Sequence, residues 1–307
     1  MINQNQSKTL VLNPVSGNGD HTDSIQQRAT LTGYDVVETE AEGDAIELAK
    51  AAANRDCSVI AAAGGDGTLN EVVRGVVAAD ALDRVTVGVV PVGTGNNFAQ
   101  NIGITGIDHA FDVLEDRERR WIDLGVADGN HFINSCISGI TADASGDTTP
   151  EMKNRFGVVA YVINTFETIN NFDGLELSVE VWQEGEHDPI WSGEAMMILV
   201  GNGRRFSLQG NTQANMEDGR FDVTIIENAP ASELIEEALA EHLFGKESTD
   251  TKRLWASSLE LTGLGSEPLS FSLDGEIIER KSLTLDVENR VLSVPVGDAY
   301  EPNPSYE

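Results

Sequence analysis

A chain of 307 residues, 40% of them hydrophobic, is long enough for about two domains with a buried core, which excludes a disordered or fibrous protein. Its 51 acidic against 20 basic residues leave a formal charge of -31, spread along the whole chain, and this excludes the basic stripe of a nucleic-acid groove. Surplus carboxylates with few lysines fit a halophilic protein, whose self-repulsion is screened over a Debye length of about 3 Å at 1 M salt. Cys57 and Cys136 form no Cys-x-x-Cys pattern and read as two reduced, buried thiols of a cytoplasmic protein. The polar start Met1 to Ser7 has no signal-peptide character, and no stretch reaches the ~18 apolar residues of a membrane span.

The first predicted strand, Thr9 to Leu12, runs into the turn cluster Asn13-Pro14-Val15-Ser16-Gly17-Asn18-Gly19. A helix from Thr22 to Leu31, a strand from Asp35 to Thr39 and a helix from Gly43 to Asn54 follow. A buried strand, Val59 to Ala63, then enters Gly64-Gly65-Asp66-Gly67, with Thr68 or Asn70 expected to cap a helix from Leu69 to Ala79. Strand Val85 to Pro91 leads into a second glycine loop, Gly93-Thr94-Gly95-Asn96-Asn97, and another short helix. Alternating strands and helices predict a parallel sheet whose loops share one crevice at the strands' carboxyl ends. Past Arg117 to Arg120 the pattern changes to alternating strands: Trp121 to Val126, His131 to Ser135, Leu175 to Trp182, Trp191 to Val200, Phe221 to Ile226, Ser258 to Leu264, Leu269 to Leu273, Ile277 to Ile278, Ser282 to Val287 and Val291 to Pro295. Helices at Phe156 to Ile169 and Ala231 to Leu243 interrupt them. The expected organisation is therefore an α/β domain over residues 1–120 and an antiparallel β-sandwich or open barrel over 121–307.

The chemistry concentrates in the glycine loops. Free amides at a helix start and the positive end of its dipole suit a phosphate. Asp66 stands among those amides and would repel the phosphate unless a divalent cation bridges the two. A plain strand-to-helix turn remains the other reading of Gly-Gly-Asp-Gly taken alone. Neither loop fits Gly-x-x-x-x-Gly-Lys-Ser/Thr or Gly-x-Gly-x-x-Gly. Asp274-Gly275 between alternating segments also reads as a hairpin turn.

Taken in order, Asn13-Pro14-Val15-Ser16-Gly17, Gly64-Gly65-Asp66-Gly67-Thr68-Leu69-Asn70-Glu71, Gly93-Thr94-Gly95-Asn96-Asn97-Phe98-Ala99, Asp218-Gly219 and Asp274-Gly275-Glu276 resemble the diacylglycerol kinase catalytic family, which includes bacterial lipid kinases and sphingosine kinases. The resemblance spans nearly the whole chain and implies an amino-terminal nucleotide domain akin to NAD kinases and phosphofructokinases, followed by a β-sandwich. It implies that Asn13, Ser16 and Gly17 hold nucleotide, that Gly64, Gly65, Gly67 and Thr68 cradle phosphates, and that Gly93, Thr94, Gly95 and Asn96 close the other side. Asp66 would serve magnesium and the reaction centre, and Glu276 would activate the acceptor hydroxyl; in some relatives the Gly-Gly-Asp-Gly aspartate is the base, so the two roles are interchangeable at this stage. Bacterial members usually carry Asp where this chain has Asn97, whose amide oxygen can still contact magnesium but brings no charge. Asp218 matches the ligand of a structural magnesium in some members. Asp143, in a segment similar to one by which sphingosine kinases approach substrate, is either a contact for a polar lipid head or a solvated loop aspartate.

The function so implied is ATP-dependent phosphorylation of diacylglycerol or a related lipid alcohol, with Mg2+ and ATP required and transient contact with a membrane surface. The oligomeric state is open, a homodimer included. An NAD kinase, which shares Gly-Gly-Asp-Gly, and a non-catalytic nucleotide- or lipid-binding protein are the rival readings.

Overall fold

The computed structural model describes residues 7–17, 21–116, 118–139, 174–183, 186–205, 212–227 and 251–305. The helices expected at 156–169 and 231–243, and Asp143, lie outside the described residues. By its internal contacts the chain divides into two compact units, one made of Met1–Leu124, Met216–Asp218 and Glu288–Glu307, the other of Gly125–Asn215 and Gly219–Val287.

In the first unit, β1 (Lys8–Leu12), β2 (Tyr34–Glu38), β3 (Val59–Gly64) and β4 (Thr86–Pro91) pair in parallel in the order β2-β1-β3-β4. β3 is buried at every position, as a central parallel strand covered on both faces must be. Helix α1 (Thr22–Leu31) buries Ile25 and Ala29, and α2 (Asp44–Asn54) buries Ala45, Ala49, Ala52 and Ala53. Helix α3 (Asp66–Ala78) presents Leu69, Val72, Val73 and Val76, and its Gly75 lets α2 approach: a Cβ there would lie 2.4 Å from the Ile46 carbonyl oxygen. The short α4 (Asn97–Asn101) and α5 (Ile107–Asp116) complete the unit, α5 burying Ala110, Phe111 and Val113.

Two late segments return to this unit. The end of β15 (Ser282–Pro295) lies parallel to β4, with Ser293 opposite Thr86 and their hydroxyls 3.1 Å apart. Asp123, fully buried in β5 (Arg119–Ala127), accepts the Arg290 amide at 2.7 Å and donates its own amide to the Met216 carbonyl. Glu217 receives Arg120 through both carboxylate oxygens and the Tyr300 hydroxyl at 3.0 Å. Burial, and then the charge of Glu217, push the Tyr300 phenol well above the usual tyrosine range.

The second unit is antiparallel. It runs β14 (Glu276–Arg280), β13 (Leu269–Leu273), β7 (Ser135–Gly139), β9 (Glu186–Gly201), β8 (Leu175–Gln183), β12 (Ser258–Gly263) and the first half of β15. β10 (Phe221–Glu227) adds to β9 and carries β11 (Thr251–Ala256), while β6 (Asn130–Phe132) pairs the end of β5. The strands enclose a core containing Phe132, Val179, Phe221, Leu261 and Phe271, with the Phe132 and Phe221 rings stacked 5.7 Å apart. This is the expected α/β domain with a carboxyl-terminal β-sandwich. Both cysteines are free and buried.

Several local expectations need correction. Neither Thr68 nor Asn70 caps α3; both lie buried inside it, and Gly65 stands at the cap without a side-chain hydrogen bond. The strand expected from His131 to Ser135 is interrupted, because the amides of Ile133, Asn134 and Ser135 all turn to the Asp274 carboxylate at 2.6–2.9 Å. The two last strands are one continuous β15, in which Arg290 takes a left-handed φ of 53°. Helix α5 and strand β11 were not expected.

Candidate active site

The carboxyl ends of β1, β2, β3 and β4 open on a single cleft of about 810 Å3 in the first unit. Its lining includes the Asn13–Gly17 loop, the Thr39–Glu42 loop, the start of α3 with Gly65, Asp66, Gly67 and Thr68, and Gly93, Thr94 and Gly95. Four segments that lie far apart in sequence therefore line one cleft. Asn13 Nδ2 donates to Thr68 Oγ1 at 3.2 Å while Asn13 Oδ1 accepts the Val15 amide at 3.2 Å, which ties the first loop to α3. The two glycine loops touch backbone to backbone: a Cβ on Gly93 would come within 2.4 Å of the Gly65 Cα. Only glycine fits there. Gly17, at φ 62°, would likewise drive a Cβ to 2.3 Å from the Val92 carbonyl oxygen.

Asp66 clips the loops together. Its Oδ2 accepts both the backbone amide and the side-chain Nδ2 of Asn97, each at 3.0 Å, and its Oδ1 accepts the Phe98 amide at 3.0 Å. A carboxylate offers about four lone-pair directions, so among the described residues one remains, on Oδ1. Asn96 folds back on its own loop, its Oδ1 accepting the Gly93 amide at 3.1 Å and its Nδ2 donating to the Gly93 carbonyl at 2.8 Å. Glu71 spends both oxygens on the entrance of α2, accepting Gly43 N at 3.1 Å and Ala45 N at 3.2 Å. That contact, with Asp44 Oδ2 accepting the amides of Glu40 and Ala41 at 2.8 and 2.7 Å, holds the Thr39–Glu42 wall in place.

The cleft can receive a polyphosphate by its amides. The 13-residue α3 starts at the cleft without a side-chain cap, so its first-turn N–H groups and dipole face that space. Among the described residues the charged side chains lining the cleft are Glu40, Glu42, Asp66 and Glu71, all acids, so a polyphosphate needs a cation to accompany it. The donor set fits magnesium, a hard ion that keeps several waters and takes one or two carboxylates. The open direction on Asp66 Oδ1 would hold it directly or through water, and the side chain of Asn97 stands beside that carboxylate.

Of the residues expected to hold nucleotide, Asn13, Ser16, Gly17, Gly65, Gly67, Thr68, Gly93, Thr94 and Gly95 line this cleft together with Asp66; Gly64 is buried at the end of β3, Asn96 bonds within its own loop, and Asn97 reaches the cleft only through its bonds to Asp66. Glu276 stands in the second unit, exposed, as the first residue of β14. It follows a two-residue turn in which Asp274 and Gly275 both have positive φ, 50° and 101°, so Asp274-Gly275 is a hairpin turn whose carboxylate also collects three amides. Asp218 is exposed at a bend beside Glu217, and among the described residues no three His, Cys, Asp or Glu side chains gather as a metal cluster. The Thr39–Glu42 wall and the tethering role of Glu71 were not expected. Glu71 was visible as part of the glycine motif, but its partners are backbone amides that no side-chain pattern reveals.

Fold and cleft together define an α/β domain with an anion-receptive crevice, joined to an antiparallel β domain. Residues 7–127 match the diacylglycerol kinase catalytic domain, and residues 134–296 match the YegS C-terminal NAD kinase beta sandwich-like domain. The chain is 32% identical over 280 residues to a diacylglycerol kinase of Bacillus subtilis, covering 87% of this chain and 88% of that one. It is also 32% identical to a diacylglycerol kinase of Staphylococcus haemolyticus over 233 residues, 73% of this chain and 68% of the relative. The crystal structure of a diacylglycerol kinase from Bacillus anthracis str. Sterne superimposes with a TM-score of 0.70 at 19% identity, covering 96% and 98% of the two chains, which bears on the fold. The chain belongs to the diacylglycerol kinase catalytic domain family.

Proposed function

We propose that the protein is an ATP-dependent lipid kinase that transfers the γ-phosphoryl group to a hydroxyl of diacylglycerol or a related lipid alcohol. The observation that carries this reading is the cleft in which the uncapped start of α3 and the Gly93 loop meet, pinned by Asp66. The names of the relatives support the acceptor class. Phosphoryl transfer asks a protein mainly to position two reactants and offset charge, so rigid amides suffice for much of it. The α3 amides hold the phosphate oxygens, and the Gly65–Gly93 contact keeps those amides from shifting. Magnesium, when bound, neutralises phosphate charge beside Asp66. Glu276 is assigned as the base that takes the proton of the acceptor hydroxyl, and the exposure of its carboxylate leaves it accessible to a lipid headgroup. Asn97 and Asp218 are assigned to magnesium, Asn97 at the reaction centre and Asp218 at a structural site, and Asp143 to the lipid head. The nucleotide domain is assigned to residues 1–120 and the acceptor domain to 121–307.

Work at the membrane is by transient contact from the cytoplasm, since a surface of charge -31 is repelled by anionic headgroups. Among the described residues no helix is long and apolar enough to cross a bilayer. The test is phosphate transfer from labelled ATP in molar KCl and Mg2+, offering diacylglycerol, a dialkylglycerol, a sphingoid base and NAD in parallel. Label in a lipid supports the reading, and label in NAD alone overturns it. One observation favours a second reading: Asp66 spends three of its about four acceptor directions on the second glycine loop, as a purely structural clip would in a protein that binds nucleotide without turning it over. ATP binding with no labelled acceptor would favour that reading.

A further inference from the structure

The Thr39–Glu42 loop belongs to the cleft but not to either glycine loop, and its chemistry is opposite to theirs. In the sheet order β2-β1-β3, it follows a strand two positions from the strand that ends in Gly64. Strands pair ~4.8 Å apart, so this wall stands on the order of 10 Å across the sheet from the amides of α3. That is about the span from the terminal phosphates of a nucleoside triphosphate to its ribose. Glu40 and Glu42 both line the cleft and both are exposed. Among the described residues neither carboxylate has a hydrogen-bond or ion-pair partner. Two unpaired carboxylates repel phosphate and accept hydrogen bonds from hydroxyl or amino donors. Their backbone is fixed in advance by Asp44 and by Glu71, which reaches the amides of Gly43 and Ala45 from α3 itself. The element that would take the phosphates and the wall facing it are thus held in one register by a single side chain. An acid just past the second strand is also where dinucleotide-binding sheets receive the ribose hydroxyls.

We infer that this wall selects the nucleotide by its sugar: Glu40 and Glu42 accept hydrogen bonds from the ribose hydroxyls and reject a 2′-phosphate, and Glu71 is the positioning residue that sets their distance from the phosphate site. The inference rests on the reading of the cleft as an ATP site.

Equilibrium binding of ATP, 2′,3′-dideoxy-ATP and inorganic tripolyphosphate, each with Mg2+ in molar KCl, tests it on the wild type, on Glu40→Ala/Glu42→Ala and on Glu71→Ala. The wild type should bind dideoxy-ATP roughly 10- to 100-fold more weakly than ATP, as the loss of hydrogen bonds to a charged acceptor implies. The double variant should bind the two nucleotides within about threefold of each other, and so should Glu71→Ala, while both variants hold tripolyphosphate within about threefold of wild type. Adenosine 2′,5′-bisphosphate should bind more weakly than AMP to the wild type, and the double variant should narrow that gap. Equal binding of ATP and dideoxy-ATP by the wild type, or undiminished discrimination in the double variant, overturns the inference and leaves the nucleotide site standing. Failure of the wild type to bind either ATP or tripolyphosphate overturns both.

Discussion

Replacing Asn97 by aspartate removes the Nδ2 donor that meets Asp66 Oδ2 at 3.0 Å and puts a second carboxylate oxygen in its place. Two unit charges 3–4 Å apart repel by about 4–6 kcal/mol at an effective dielectric near 20. Both side chains are partly open to solvent, and the new one can rotate away, so a cost on the order of 1–3 kcal/mol is expected. For a chain of this size each kcal/mol lowers the midpoint of thermal unfolding by about 2–4 °C. Melting followed by circular dichroism in EDTA should therefore show Asn97→Asp falling below wild type by roughly 2–12 °C, with most of the loss recovered in millimolar Mg2+. The recovery is the discriminating part, because a cation between two carboxylates reverses the sign of their interaction. A variant as stable as wild type in EDTA, or one indifferent to Mg2+, would show that position 97 does not share a cation site with Asp66.

Gly93→Ala forces apart two backbones that a Cβ would bring to 2.4 Å, so it should cost about 1–3 kcal/mol and abolish ATP binding, read by denaturant melts and calorimetry. Tyr34 and Tyr300 make a contrasting pair: the Tyr34 hydroxyl is buried with no hydrogen-bond partner among the described residues, whereas that of Tyr300 donates to Glu217. Tyr34→Phe should leave stability unchanged or raise it, and Tyr300→Phe should lower it by about 1.5–3 kcal/mol, measured in urea. Burial raises both phenols in the folded state, so neither imposes a titration penalty at neutral pH, and stability declines once pH climbs past the ordinary tyrosine value near 10, where the unfolded chain ionises and the folded one does not. Stability should fall on that alkaline side, and Tyr34→Phe should flatten the decline. Dilution into low salt should lower the melting temperature as the -31 charge loses its screening, and an unchanged melt in dilute buffer would contradict a halophilic origin.

Much of the first unit was legible because parallel α/β architecture writes itself in local pattern. The apolar run of β3, the alanine face of α2 and the valines of α3 each carry their own burial. The gathering of three loops on one crevice followed from topology alone. Contacts to backbone amides were not legible. Asp274 looked like one half of a hairpin turn, yet its carboxylate reaches amides some 140 positions away and breaks a strand there. Glu71 and Asp66 share this character, each being an acid in a motif whose immediate partners are N–H groups of another element. The start of α3 was misplaced because Thr68 and Asn70 have the chemistry of caps but sit inside the helix. Helix α5 does carry a periodic apolar face, Ala110, Phe111, Val113 and Leu114, but it abuts the charged Arg117–Arg120 stretch where the pattern changes. The return of Glu288–Glu307 to the first unit leaves no compositional mark, since β15 continues unbroken through Val287.

The most direct test is turnover on a lipid acceptor that the wild type labels, measured for Asp66→Asn and Glu276→Gln at saturating ATP and Mg2+ in molar KCl. Each substitution should cut turnover by at least ~100-fold while both proteins still fold. Asp66→Asn should also weaken the Mg2+ dependence of ATP binding, and Glu276→Gln should leave ATP affinity nearly intact. Wild-type turnover in Glu276→Gln would reduce Asp274-Gly275-Glu276 to a hairpin and remove the assigned base. Wild-type turnover in Asp66→Asn would contradict phosphoryl transfer at this cleft.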